Sequence, residues 1–308
     1  MLVTLTIALP VTKGKRPLQV DNEHTGLRLF LGFLLSSAIG IMAYKRRSLS
    51  RSGIAGAMLS GTTIFGMGGL GWGLSLIFFF VSSSLLSHFR AKDKALTAAD
   101  KFSKGSQRDF SQAMANGGVA TLLALGYGLS TSKNARTSLQ AGFVGALATA
   151  NADTWATELG VLSKRPPRLI TTGALTTPGT SGGITLTGTA ASAAGAASLG
   201  LFFRLFQRKR PMLPLIGLIS GMVGSLLDSI LGAAVQAMYY CPVCHKETER
   251  NVHSCGTQTR PLRGISWFGN DAVNFLATVC GALTAMGLQT LFSRRRRRCE
   301  RGISRFSL

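Results

Sequence analysis

Long apolar stretches that carry almost no charge recur along this 308-residue chain and constrain its fold more than any other feature. These stretches are residues 27–44, 53–89, 117–130, 139–162, 182–203, 212–240 and 271–292. A helix that crosses a bilayer needs about 20 mostly apolar residues. The stretch 53–89 is long enough for two short spans, with a turn at the glycine-rich segment 66–71. The sequence therefore predicts an all-α, polytopic transmembrane bundle of seven or eight spans, and it disfavours a soluble helical core.

The basic residues flank the apolar stretches instead of forming one patch. Lys and Arg outnumber Asp and Glu by 34 to 12, which gives a formal net charge of +22. Basic groups occur, for example, at 45–47, 164–165, 208–210 and 294–298. Charges in such positions face anionic lipid headgroups, whereas nucleic-acid-binding proteins gather them on one surface. We therefore expect the lipid bilayer as a partner and no nucleic acid.

The pattern predicts one membrane domain with two polar insertions. Residues 1–26 form a polar N-terminal segment, residues 27–292 the membrane domain, and residues 293–308 a basic tail. The insertion 163–183 is rich in Pro, Gly, Ser and Thr, so it cannot form a continuous helix. The second insertion, 241–266, contains most of the cysteine and histidine residues.

The cysteine spacing in the second insertion indicates a metal site rather than a disulfide framework. Cys241 and Cys244 form a Cys-x2-Cys pair, and His253 and Cys255 follow. These four soft ligands suit tetrahedral Zn²⁺ in a closed, structural site. His245 remains as a spare ligand, and a set of reduced thiols without metal is the alternative.

Four of the twelve acidic residues lie in or beside apolar stretches, namely Asp153, Glu158, Asp228 and Asp271. A carboxylate at membrane depth costs about 2.5–3.5 kcal/mol on insertion scales, so such residues usually face the bundle interior and mark an ion, proton or substrate site. The structural alternative is that each acid pairs with a loop arginine or caps a helix, as Asp271 could do beside Asn270.

The densest polar group within an apolar stretch is the segment 151–158. On a helix, Asn151, Thr154 and Glu158 fall on one side, and Asp153 pairs with Thr157 one turn on. Such a helix presents oxygen ligands over a broad arc. Mg²⁺ prefers oxygen ligands and is usually held by one or two carboxylates together with substrate phosphates.

A glycine-rich segment follows the basic residues Lys164, Arg165 and Arg168 and precedes an apolar helix. It consists of Gly179, Thr180, Ser181, Gly182 and Gly183. Backbone N–H groups of such a turn, together with the following helix N-terminus, can bind phosphate. The segment lacks the Lys-Ser/Thr ending of a P-loop, and a plain structural turn is the alternative.

Six stretches resemble, in order, the transmembrane-protein-nineteen-like family, to which plant phytyl-phosphate kinase belongs. They are ANGGVA at 115–120, NADTWATELG at 151–160, PRLITT at 167–172, GTSGG at 179–183, GSLLDSILG at 224–232 and NDAVN at 270–274. The resemblance implies phosphoryl transfer to an isoprenoid alcohol monophosphate, with a nucleoside triphosphate, CTP in particular, as donor. The Cys/His loop is typical of prokaryotic members, which implies a prokaryotic plasma membrane.

We therefore interpret the chain as a membrane-bound prenyl-phosphate kinase. The expected roles are Mg²⁺ binding by Asp153 and Asp228 with help from Glu158 or Asp271, phosphate binding by residues 179–183, and charge neutralisation by Arg168 or Lys164. Phosphoryl transfer depends mainly on positioning and electrostatics, so these groups suffice. The alternatives are an ion-coupled transporter, which also uses intramembrane acids and broken helices, and a structural membrane protein.

Overall fold

The computed structural model describes residues 22–98 and 107–303 of the chain. In that part, the helices are α1 (Asn22–Lys45), α2 (Arg51–Thr63), α3 (Leu70–His88), α4 (Ala91–Ala98), α5 (Phe110–Leu129), α6 (Lys133–Gly160), α7 (Leu186–Phe206), α8 (Leu213–Ala234) and α9 (Asn270–Ile303). Most of the predicted N-terminal segment, up to residue 21, and the last residues of the basic tail, 304–308, lie outside the described residues. The predicted boundaries of the membrane domain at 26 and 292 stay predictions.

Five of the described helices are long and apolar enough to cross a membrane, namely α1, α3, α7, α8 and α9. The protein is thus a mostly helical membrane bundle, while the predicted total of seven or eight spans is not confirmed. The stretch 53–89 is interrupted at the predicted place, because α2 passes into a π-helical turn, Ile64–Gly68, and α3 begins at Leu70. Of its two predicted spans, only α3 is among the five.

Helix α6 lies at the centre of the bundle. It contacts α3, α5, α7, α8 and α9, and every residue from Gln140 to Ala152 is buried. Its small side chains explain why it is less hydropathic than a lipid-facing helix, since its surroundings are protein. Aromatic rings fill the space beside it, with ring centroids 4.1 Å apart for Trp72 and Phe143 and 5.7 Å apart for Phe143 and Phe203.

Glycine at position 224 allows α8 to approach α6 closely. A Cβ atom on Gly224 would lie 2.3 Å from Cγ2 of Thr149, a distance that neighbouring side chains do not reach without a shift. Small residues permit such close helix pairs in membranes. The contact brings the following turns of both helices together, and these turns carry Asp153 and Asp228.

The two polar insertions contain the described β-structure, which corrects the prediction of an all-α fold. In the insertion 163–183, β1 (Arg168–Leu169) pairs antiparallel with β2 (Gly183–Ile184), so this segment is not helical, as predicted. In the insertion 241–266 and the residues before it, β3 (Met238–Cys241), β4 (Lys246–Thr248) and β5 (Arg260–Arg263) form an antiparallel sheet of order β4-β3-β5. Strands this short and polar cannot be predicted from hydrophobic periodicity, because their pairing depends on turns and ligands.

Candidate functional site

A polar cavity of about 270 Å³ lies where α6 and α8 end and where α5, α7 and α9 begin. Three of the predicted acids, Asp153, Glu158 and Asp228, line it, and so does the whole glycine-rich segment 179–183. Residues separated by more than 70 positions in sequence thus meet in one pocket. A concave site with convergent polar groups is the ordinary form of a small-molecule site.

Asp153 and Asp228 have no hydrogen-bonding or ion-pair partner within the described residues. Oδ2 of Asp228 is fully buried without a partner, and the charge of Asp228 is close enough to be repelled by those of Asp153 and Glu249. A buried carboxylate without a partner is costly, and it is normally paired or bound to a metal ion. The donor set of this pocket therefore fits a divalent cation with oxygen ligands.

The other two predicted acids are paired within the protein. Glu158 lines the pocket edge, where Oε2 accepts a hydrogen bond from Nζ of Lys94 at 2.5 Å and Oε1 accepts one from the Ser87 hydroxyl at 2.5 Å. Asp271 lies in the first turn of α9, accepts a short hydrogen bond from the Ser111 hydroxyl, and does not line the pocket. These two acids therefore differ from Asp153 and Asp228 in having partners within the protein, and Glu158 alone of the two shares their pocket.

The glycine-rich segment forms a tight turn against the end of α8. Gly182 has φ of +81°, a conformation that favours glycine, and a Cβ atom there would lie 2.4 Å from Cβ of Ala233. The turn leads directly into α7, whose N-cap Thr185 accepts a hydrogen bond from the Gly188 N–H at 2.9 Å. Thr185, Gly188 and Thr189 of this N-terminus line the pocket, where the partial positive charge of the helix end favours an anion.

The cation that lines the pocket is Arg108, which the sequence analysis did not single out. Its guanidinium lies 6.0 Å from the ring centroids of Phe79 and Phe80. Within the described residues the guanidinium makes no hydrogen bond or ion pair, although the charge of Glu158, which lines the same pocket, acts on it. The predicted cations lie elsewhere, since Lys164 is exposed outside the pocket and Arg168 donates to the Gly173 carbonyl at 2.7 Å. The one signal for Arg108 is its place before the N-cap of α5, in the polar segment that leads into ANGGVA.

The small β-sheet holds the glycine-rich segment in place. Glu249 accepts hydrogen bonds from the Ser181 hydroxyl at 3.2 Å and from the Gln236 amide at 2.8 Å. Arg263, in β5, donates to the carbonyl of Ser181 at 3.2 Å and to the carbonyls of Gly232 and Ala233 at 2.9 and 2.6 Å. The sheet therefore ties the pocket loop to the C-terminal end of α8.

The predicted metal ligands form one cluster at the edge of this sheet. One ligand atom each of Cys241, Cys244, His253 and Cys255 lies within 4.8 Å of the others. The Sγ atoms of Cys241 and Cys255 are 3.7 Å apart, while tetrahedral Zn–S bonds of about 2.3 Å give roughly 3.8 Å. The cluster can therefore hold a metal ion. His245 contacts the Tyr240 hydroxyl at 2.9 Å instead.

The thiol of Cys255 is suited to act as a ligand. Hydrogen bonding with Thr257 and with His253 lowers the pKa of Cys255 to about 6. A thiol with this pKa is largely deprotonated at neutral pH, and the thiolate is the form that binds metals.

The fold and the pocket define a helical integral membrane protein with an acidic, glycine-rich site at one end of its bundle. The family model of the integral membrane protein DUF92 matches residues 34–282, and the chain belongs to this family. It is 35% identical over 272 residues to Protein PGR of Arabidopsis thaliana, which covers 81% of this chain and 92% of the relative. It is 32% identical over 271 residues to an uncharacterized membrane protein of Methanocaldococcus jannaschii, which covers 86% of this chain and 96% of the relative.

No solved structure matches the fold significantly. The two relatives come from a plant and an archaeon, so they place the chain in a membrane without defining which one. The prokaryotic plasma membrane stays a prediction. The comparisons support the membrane-protein part of the resemblance, and the kinase activity that it implies stays a prediction.

Proposed function

We propose that this protein is a membrane-bound kinase that converts an isoprenoid alcohol monophosphate into the diphosphate at the expense of a nucleoside triphosphate, with CTP as the first donor to test. The observation that carries this proposal is a pocket lined by Asp153, Asp228, a glycine-rich turn and the guanidinium of Arg108, in which Oδ2 of Asp228 is buried without a hydrogen-bond partner within the described residues. This combination of acids, backbone N–H groups and a cation suits phosphates and a divalent cation.

The residues of the pocket fit Mg²⁺. Oδ2 of Asp228 is buried without a partner within the described residues, and Asp153 lines the same pocket, where its charge acts on Asp228. Mg²⁺ held there would supply positive charge against the phosphates of the nucleotide. Asp153 and Asp228 are therefore the residues that we assign to hold it.

The reaction needs little covalent chemistry from the protein. An oxygen of the monophosphate attacks the γ-phosphorus of the donor, the bond from that phosphorus to the β-phosphate oxygen breaks, and the nucleoside diphosphate leaves. The attacking oxygen is already anionic at neutral pH, so no general base is required. Arg108 and the N–H groups of Gly179, Ser181 and Gly182 would neutralise and orient the phosphates, which is the larger part of catalysis in such reactions. The N–H groups of Thr180 and Gly183 instead donate within the turn, to the Thr177 and Thr180 carbonyls at 3.2 and 2.9 Å.

We assign a structural Zn²⁺ to the Cys241, Cys244, His253 and Cys255 cluster. The four ligands leave no position open for substrate, as in closed structural zinc sites. The role that we propose is to stabilise the sheet whose Glu249 and Arg263 hold the glycine-rich segment. The zinc site is thus distinct from the pocket.

The test is a phosphorylation assay on the purified protein in detergent. Phytyl and geranylgeranyl monophosphate are offered with Mg²⁺ and each nucleoside triphosphate in turn, and the diphosphate is measured. We expect product from the wild type and a loss of at least about 100-fold in the Asp153→Asn variant, since one key electrostatic group is removed. Asp271→Asn is the matched control, because this acid lies outside the pocket, and it should retain activity.

Two results would contradict the proposal. Absence of product with every donor, from protein that is folded and metal-loaded, would remove the kinase function. Nucleotide-independent uptake of a solute into proteoliposomes, abolished by Asp153→Asn, would instead assign the two carboxylates to an ion-coupled transporter.

A further inference from the structure

An apolar groove of about 100 Å³ lies beside the polar pocket, between α1, α2, α3 and α5. Its walls are mostly aliphatic and aromatic, including Leu35, Ile39, Phe65, Leu76 and Ile77. A groove with these walls does not suit the binding of a nucleotide or of Mg²⁺. Its lining is complementary to a hydrocarbon chain.

The groove and the pocket share one wall. Arg108, Gln112 and Asn116 line both of them. In α5, Gln112 and Asn116 are one turn apart, and the Asn116 amide donates to the Gln112 carbonyl at 3.1 Å. The boundary between the apolar and the polar compartment is therefore a single strip of polar side chains.

Arg108 gives this boundary a positive charge. Two of the aromatic residues near its guanidinium, Phe79 and Phe80, also line the groove. The guanidinium thus lies near apolar rings of the groove, and Arg108 also lines the polar pocket. A molecule that matches both compartments has an anionic head and an apolar chain joined at this point.

We propose that the groove binds the apolar chain of the substrate whose phosphate group lies in the pocket, with Arg108 at the junction of head and chain. This inference rests on the proposed function and adds to it the location of the chain. The occupant is the isoprenoid chain of the substrate, not a bulk membrane lipid. The length of the groove would then set which chain lengths are accepted.

The first test shortens the groove by placing a larger side chain on α5. Gly117 lines the groove, and a Cβ atom there would meet only Oγ of Ser60 at 3.5 Å, so the Gly117→Leu side chain can enter the open space. We expect kcat/KM for geranylgeranyl monophosphate to fall at least tenfold relative to geranyl monophosphate, with the KM for the nucleotide unchanged.

The matched control is Gly118→Leu, the same change at the next position of the same helix. Gly118 lines neither compartment, and a Cβ atom there would meet only Cβ of Met114 at 3.9 Å. This variant should keep the wild-type preference. An equal loss for both chain lengths in Gly117→Leu, or the same shift in Gly118→Leu, would overturn the inference.

The second test does not depend on turnover. Geranylgeranyl monophosphate with a diazirine at its last isoprene unit is photolysed with the wild-type protein, and labelled residues are identified by mass spectrometry. Label on groove residues, displaced by unlabelled prenyl phosphate but not by phosphatidylglycerol, supports the inference. Label elsewhere on the bundle, or displacement by phosphatidylglycerol, overturns it. Groove labelling without any phosphorylation would overturn the kinase function alone, so the two failures are distinguishable.

Discussion

At the scale of single residues, the unpaired carboxylate of Asp228 predicts opposite effects on stability and on activity. Its buried Oδ2 has no hydrogen-bond partner, and Asp153 and Glu249 repel its charge. Without Mg²⁺, the Asp228→Asn variant should therefore be more stable than the wild type by about 1–3 kcal/mol in the free energy of unfolding. It should accordingly unfold at a higher temperature. Its kinase activity should fall at least about 100-fold. Thermal unfolding in detergent with a chelator measures the first effect, and the phosphorylation assay measures the second.

The matched comparison is Glu158→Gln, an acid of the same pocket that is paired. Its carboxylate accepts from Lys94 and from Ser87, both at 2.5 Å, so neutralising it leaves the ammonium group without its charge partner. We expect this variant to lose about 1–3 kcal/mol of stability. Lower stability in both variants would show that Asp228 has a structural role, and would weaken its assignment to the metal.

At the residue scale, the sequence singled out positions where an amino acid type is rare in its surroundings, and the roles assigned to them stay predictions. Asp153, Asp228 and the segment 179–183 stand out because acids and glycine-rich turns are unusual in apolar stretches, and the structure places all of them in one pocket. Arg108 did not stand out among 34 basic residues. What distinguishes it is contact with Phe79 and Phe80, which lie some thirty positions earlier, and packing of this kind leaves no local sequence pattern.

At the scale of elements, we predict that loss of the proposed metal from the Cys/His cluster loosens the glycine-rich segment of the pocket. Cys244→Ser removes one of the four ligands, and metal affinity should fall by at least about 100-fold. Because Glu249 and Arg263 hold Ser181, residues 176–184 should then exchange amide hydrogens faster. Metal content and hydrogen exchange by mass spectrometry measure these two effects.

The control for this variant is Cys280→Ser, which changes a cysteine in α9 outside the cluster. It should keep both its metal content and the protection of residues 176–184. If Cys244→Ser lost its metal and the glycine-rich segment stayed equally protected, the proposed link between the sheet and the pocket would be wrong.

The elements themselves were predictable to the extent that they face lipid. α1, α3, α7, α8 and α9 are apolar enough to be recognised from hydropathy. α6 is less apolar because protein surrounds it, and hydropathy alone does not distinguish such a helix from a less buried one. The β-sheet was missed because its strands are short, and its order depends on the cluster and on Arg263 contacts with α8.

At the scale of the whole molecule, the pocket and the metal cluster share one end of the bundle. The insertion 163–183 and the sheet lie at this end, joined through Ser181 and Glu249. The connection between α7 and α8 lies at the other end, where Arg210 donates to the Thr137 hydroxyl at 2.8 Å. Basic residues occur at both ends, so the positive-inside rule does not orient the bundle. The proposed chemistry orients the bundle instead, because nucleoside triphosphates and reduced thiols are found in the cytoplasm.

We therefore predict that the pocket end faces the cytoplasm and test it with two introduced cysteines. Leu175→Cys lies at the pocket end, where Leu175 is 62% exposed, and Arg208→Cys lies at an exposed position of the opposite end. A membrane-impermeant maleimide should label Leu175→Cys in inside-out vesicles alone and Arg208→Cys in right-side-out vesicles alone, above the background of protein without either change. The reverse pattern would place the pocket on the side of the membrane where no nucleoside triphosphate reaches it. That result would contradict the kinase function and would be compatible with an importer of solutes.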